Sequence, residues 1–255
     1  MGEPRGPFKS LRGEICRLFA IDRAGGTDDH AGLPPRDPPV SDEPTLRQEL
    51  VTQGARLAAS GLSQGTSGNL SARCGEGFLI TPSGTPYEEI TPEGIVLVDR
   101  DGQWPAGQRP SSEWRFHRDI YLARPDARAV VHVHPPYATA LAMCRKAIPP
   151  AHYMIAVGGG DSIRCADYHT YGTQALSDAV LAALEGRLVC LMANHGMIAL
   201  GSTLAQAMWR AVEVENLARQ YALSLQVGTP VMLTDEEVAD VLAKFANYGL
   251  MSSRS

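Results

Sequence analysis

The segment Ala129-Val130-Val131-His132-Val133-His134 constrains this chain most. Its valines favour a β-strand, and Pro135-Pro136 ends that strand abruptly. Side chains at i and i+2 of a strand leave on the same face. His132 and His134 therefore reach one point in space, and the fold must be built around a strand that delivers two imidazoles together. That arrangement suits a divalent metal.

The pattern on either side supplies the partners. Leu46, Leu50, Gln53 and Leu57 recur near helical spacing, and Gly61 stops that helix. Short strand-like runs follow at residues 70–73, 78–81 and 95–98. Pro110-Ser111-Ser112-Glu113 opens a helix reaching about residue 123, and Pro136 starts another through residue 143. Further strands are expected at 154–157, 188–192 and 197–200, with helices over 173–184, 204–225 and 235–245. Strands and helices interleave, yet many connections are too short for parallel crossovers. The fold class expected is α/β, with a mainly antiparallel sheet and helices packed on it.

Residues 1–43 read differently. The stretch 22–44 carries Gly25, Gly26, Asp28, Asp29, Pro34, Pro35, Pro38 and Pro39 with few large apolar residues. Such a stretch buries too little surface to offset chain entropy and is expected to be a disordered or loosely attached extension. A short helix over 11–21 is compatible with this. Residues 44–255 are expected to form a single domain. Across all 255 residues the net charge is -5, which gives no reason to expect nucleic acid. No run is apolar enough to suggest a bilayer span or a secretory leader. The five cysteines are odd in number, widely spaced and without a C-x-x-C pair, as in a reducing cytoplasm. Cys144, Cys165 and Cys190 have apolar or small neighbours and are expected to be buried thiols.

The chain has seven histidines. His195 joins the strand pair as a candidate because it follows the apolar run 188–192 and is followed by Gly196. Three imidazoles suit zinc and leave a fourth position open, the pattern of a catalytic site. Glu113 is a candidate fourth ligand or general base. Glu113 and His117, at i and i+4, form an alternative pair on one helical face.

Three segments look built for an anion. Gly65-Thr66-Ser67-Gly68-Asn69 can turn successive N–H groups inward, and Thr81-Pro82-Ser83-Gly84 ends a strand in a hydroxyl-bearing turn. Ser111-Ser112 stands where a helix dipole favours negative charge. No G-x-x-x-x-G-K-[ST] run occurs, so a small phosphorylated substrate fits better than a nucleotide.

These stretches, in this order, resemble the class II aldolase/adducin family. The likeness runs from about Leu46 to Leu250 through residues 64–69, 80–84, 110–117, 129–134 and 152–156 and His195-Gly196. It is strongest to members that cleave L-fuculose 1-phosphate. The resemblance implies a three-layer αβα fold and a cytoplasmic homotetramer with active sites at subunit interfaces. It implies one zinc ion, or another divalent metal, per subunit on His132, His134 and His195, with Glu113 as fourth ligand. It places substrate phosphate on Thr66, Gly68, Asn69, Ser83, Gly84, Ser111 and Ser112. Tyr153 would reach a neighbouring subunit's site as proton donor, and Tyr248 would sit on a mobile C-terminal segment over the site. The activity implied is reversible cleavage of a ketose 1-phosphate to dihydroxyacetone phosphate and a short aldehyde. Relatives on the same scaffold include a pentulose-phosphate 4-epimerase, a sugar-phosphate dehydratase and non-catalytic adducins. Tyr137 is a departure, since fuculose-type members can carry histidine there.

Overall fold

The computed structural model describes residues 42–245. The expected extension, its short helix, Cys16 and Tyr248 lie outside these residues, apart from Asp42 and Glu43, which open the first helix. Helix α1 (Glu43–Ser60) starts where the Asp42 carboxylate accepts the Thr45 N–H at 3.0 Å, and it ends on left-handed Gly61. It buries Leu46, Leu50 and Leu57, the positions its periodicity singled out. Strands β1 (Asn69–Cys74), β2 (Gly77–Ile80) and β3 (Val96–Val98) follow, then α2 (Trp114–Ala123), β4 (Ala129–Val133) and α3 (Pro136–Met143). The remainder is β5 (Arg164–Ala166), α4 (Gln174–Ala183), β6 (Val189–Met192), β7 (Gly196–Gly201), α5 (Leu204–Val227) and α6 (Asp235–Phe245).

The strands form one sheet in the order β3-β2-β1-β4-β7-β6-β5. Every pairing is antiparallel except that of β5 with β6. The two-residue period of β4 sorts its side chains between two cores. Val131 and Val133 pack with α1, α3 and α5, whereas Val130 packs with α2 and α4. The result is the expected three layers, helices on both faces of a largely antiparallel sheet. His132 falls on the α2 side, its ring edge-on to Phe116 with centroids 5.4 Å apart.

Three local expectations are corrected. Residues 154–157 are not a strand but lie in a 3₁₀ turn, Tyr153–Gly158, whose start is capped by the His152 side chain accepting the Met154 N–H. A short apolar run carries no period long enough to separate the two, and the glycines that follow favour a turn. The edge strand β5 was not anticipated, because its three residues include Arg164 and show no strand pattern. Of the three cysteines expected to be buried, only Cys190 is; Cys165 is half-buried, and Cys144 is exposed because it follows the last turn of α3.

Candidate active site

His132 and His134 come from the end of β4, and His195 from the turn between β6 and β7. The His132 ring is fixed from behind, its Nδ1 donating to the Met197 carbonyl of the neighbouring strand at 3.0 Å. That bond turns the Nε2 lone pair toward the site. His195 follows Asn194, whose backbone is left-handed at φ +54°. The His195 N–H closes the turn on the Met192 carbonyl at 3.0 Å. Asparagine tolerates this conformation better than most residues. Its side chain is held by Arg145 at 3.2 Å and by the Met143 carbonyl at 3.4 Å. Gly196 then brings β7 in close, since a Cβ there would stand 2.5 Å from the His134 ring and from the Val133 carbonyl. The three imidazoles each present a ligating nitrogen within 4.8 Å of the others, and the His132 and His134 Nε2 atoms are 2.9 Å apart.

Glu113 completes the cluster and is itself buried. Its Oε2 lies 3.1 Å from His132 Nε2 and accepts the Asn69 side-chain N–H at 3.0 Å. Its Oε1 lies 3.1 Å from His195 Nε2 but makes no aligned hydrogen bond. Burial alone would raise the Glu113 pKa, but the neighbouring His132 and His195 outweigh it and hold the carboxyl well below the usual range. Burial likewise acts to lower His132, but the Glu113 charge and the Met197 carbonyl raise it. His134 is pushed down to about 3 by its partial burial and by the other two imidazoles that it faces. A buried carboxylate with an oxygen lacking an aligned partner, set against three convergent imidazole nitrogens, is a donor set that fits a zinc-type cation.

The segments expected to hold an anion meet this cluster in one cavity of about 250 Å³. Thr66, Gly68, Asn69, Ser83, Gly84, Ser111 and Ser112 all line it, together with Glu113, His134 and His195. Gly65, Gly68 and Gly84 have φ of +64°, +79° and +69°. A Cβ on Gly68 would stand 2.6 Å from the His132 carbonyl, so the glycine loop and the histidine strand pack without a gap. Helix α2 starts at Trp114, just after the Pro110–Glu113 segment expected to open it, so Glu113 stands at the N-cap position and Ser111 and Ser112 belong to the preceding turn. The Ser111 hydroxyl accepts the Glu113 N–H at 3.3 Å.

Four placements refine the sequence reading. Both ends of the Asn69 side-chain amide are engaged within the protein, one by Glu113 and one by His117. His117 does not reach the imidazole cluster; it is fully buried behind Asn69. Tyr153 is 49% exposed and is not among the residues lining the cavity. Tyr171 lines the cavity and was missed, because it stands in a loop with no motif. Tertiary contacts place it: Arg115 donates to the Gly172 carbonyl at 3.2 Å, and a Cβ on Gly172 would stand 2.9 Å from the Ser112 carbonyl.

Residues 48–222 match the family model described as Class II Aldolase and Adducin N-terminal domain. The chain belongs to the class II aldolase and adducin family and is a class II aldolase, a lyase. It is 50% identical over 204 residues to the 5-methylthioribulose-1-phosphate/5-deoxyribulose-1-phosphate aldolase of Rhodospirillum rubrum, spanning 80% of this chain and 92% of that one. It is 48% identical over 206 residues to the L-fuculose phosphate aldolase of Escherichia coli K12, spanning 80% of this chain and 96% of that one. A solved structure of L-fuculose 1-phosphate aldolase matches with a TM-score of 0.76 at 42% identity, covering 79% of this chain and 96% of that one. No described helix is long and apolar enough to cross a membrane.

Proposed function

We propose that this enzyme is a zinc-dependent aldolase of the cytoplasm that reversibly cleaves a ketose 1-phosphate to dihydroxyacetone phosphate and a short aldehyde. The substrate is L-fuculose 1-phosphate or a related deoxyketose 1-phosphate. One observation carries the reading: three imidazoles converge beside a buried carboxylate, and two of them, His134 and His195, line one cavity with that carboxylate and with three loops rich in glycine and hydroxyl groups. The names of the relatives support it, since each acts on a ketose phosphate.

His132, His134, His195 and Glu113 would hold the metal. When bound, it supplies Lewis-acid stabilisation of the negative charge left on the dihydroxyacetone phosphate fragment when the C3–C4 bond breaks. Glu113 holds and returns the proton at the carbon of that fragment. Thr66, Gly68, Asn69, Ser83, Gly84, Ser111 and Ser112 grip the phosphate, and this remote binding aligns the scissile bond beside Glu113. Tyr153 serves a neighbouring subunit as proton donor to the aldehyde oxygen, a role its exposure and its separation from this chain's own cavity support. The enzyme is then a homotetramer whose sites are composed from two subunits.

The decisive assay offers L-fuculose 1-phosphate and 5-deoxyribulose 1-phosphate and identifies products. Dihydroxyacetone phosphate is expected. An epimerised or dehydrated sugar phosphate formed without it would overturn the aldolase assignment.

A further inference from the structure

We propose that His117 is a positioning residue that fixes Glu113 through Asn69, at the inner end of a hydrogen-bond chain in which every proton is assigned. This rests on reading Glu113 as the base of the aldol reaction. The chain starts at Glu113 Oε2, which takes the Asn69 Nδ2–H at 3.0 Å. Asn69 Oδ1 faces His117 Nε2 within hydrogen-bond reach. His117 Nδ1 meets Ser71 Oγ at 2.6 Å, and Ser71 Oγ meets Tyr121 Oη at 2.8 Å. Asn69, Ser71, His117 and Tyr121 are all buried, so water does not substitute for a missing partner.

The chemistry of the groups sets the direction. An ionised carboxylate only accepts, so Asn69 must turn its NH₂ toward Glu113 and its carbonyl toward His117. His117 Nε2 must then carry the proton, which leaves Nδ1 to accept from the Ser71 hydroxyl. Ser71 in turn accepts from Tyr121. If Asn69 flipped, its carbonyl would oppose the carboxylate and its NH₂ would oppose an N–H, and both bonds would be lost. The tautomer of His117 thus decides which end of Asn69 faces the base. The ring is held in that role by Phe116, stacked on it with centroids 4.7 Å apart, and by Phe78 at 6.5 Å. Burial, with His132 adding to it, pushes His117 down to about 3, so the ring is neutral. Asn69 opens β1 directly after the Gly65–Gly68 loop, so the chain ties the placement of the base to the loop proposed to hold phosphate.

Two measurements test this. Long-range ¹H–¹⁵N NMR of the metal-free protein, with the His117 signals identified by their loss in a variant, should show the neutral Nε2–H tautomer. The Nδ1–H tautomer, or an imidazolium at neutral pH, would overturn the proposal. The second compares His117→Gln with His117→Asn. Glutamine can place a donor near the Nε2 position and still reach Asn69, whereas asparagine reaches only as far as the Nδ1 position. His117→Asn should lower kcat and weaken zinc binding by about 10–100-fold with KM for the ketose phosphate unchanged, and His117→Gln should recover most of both losses. Equal losses in the two variants, or a rise in KM alone, would refute the positioning role. If wild type cleaved no ketose phosphate, the aldolase reading would fail, while the tautomer and the zinc affinities would still decide the hydrogen-bond chain. If neither variant folded, the wild-type tautomer would decide it.

Discussion

Glu113 is the residue on which the candidate site turns. It is buried, ionised and shared among His132, His195 and Asn69, with one oxygen lacking an aligned hydrogen bond. Glu113→Gln keeps the shape and removes the charge, so kcat should fall by about 10²–10⁴. Inorganic phosphate should still bind, as titration calorimetry would show; turnover near the wild-type rate would remove Glu113 from the role of base. Gly68 makes a different demand. At φ +79°, with the His132 carbonyl 2.6 Å from where a Cβ would stand, it cannot be replaced without moving a backbone. Gly68→Ala should cost at least about 1–2 kcal/mol from the left-handed conformation alone. It should also weaken metal binding, since the strand carrying His132 must give way. A variant with wild-type zinc affinity and thermal midpoint would show that the loop and strand are not so tightly packed. Glu113 and Gly68 were both legible from their neighbours in the sequence, Ser111-Ser112 and Asn69. The role of His117 was not, because its partners Asn69 and Ser71 are more than forty positions away.

At the scale of elements, α2 has to be anchored so that Glu113 at its start stays in place. Asp119 does this. It accepts from Ser177 and Gln174 of α4, each at 2.7 Å, and from Arg118 at 2.9 Å. Burial would raise its pKa, but these hydrogen bonds outweigh it and hold the carboxyl below the usual range. A depressed carboxylate contributes stability above its unfolded pKa of about 3.9, and that contribution is lost as pH falls through the lower folded value. Asp119→Asn should therefore cost about 1–3 kcal/mol at neutral pH. It should also flatten the loss of stability in acid, measured as urea midpoints between about pH 6 and pH 3. An unchanged acid slope would refute the assignment. The long amphipathic helices and apolar strands were readable because period and length agree. The Tyr153–Gly158 turn and β5 were not, because three to six residues do not display a period and their conformation is chosen by what they pack against.

For the whole molecule, the site joins the centre of the sheet to loops from both chain halves, and metal should couple to stability. Chelation should abolish cleavage and zinc should restore it, and zinc at 100 times its Kd should stabilise the fold by about 2.7 kcal/mol, seen as a raised thermal midpoint. Cleavage that survived complete metal removal would refute the metal role. If sites are shared between subunits, co-expressing Glu113→Gln with Tyr153→Phe should recover activity that neither variant has alone, because mixed assemblies contain sites with both native residues. Absence of recovery in isolated mixed assemblies would place Tyr153 within its own subunit's chemistry or outside it. By itself the sequence determined the strand that carries two imidazoles to one face, the glycine turns that free backbone N–H groups, and the helix start beside Glu113. Those follow from periodicities and backbone conformations set within a few residues. Only the tertiary structure decided that His195 closes on the pair, that the three loops share one cavity with it, and that Asn69 turns inward between Glu113 and His117. Such contacts join residues tens of positions apart, and their geometry is set by sheet order and register, which no local pattern encodes.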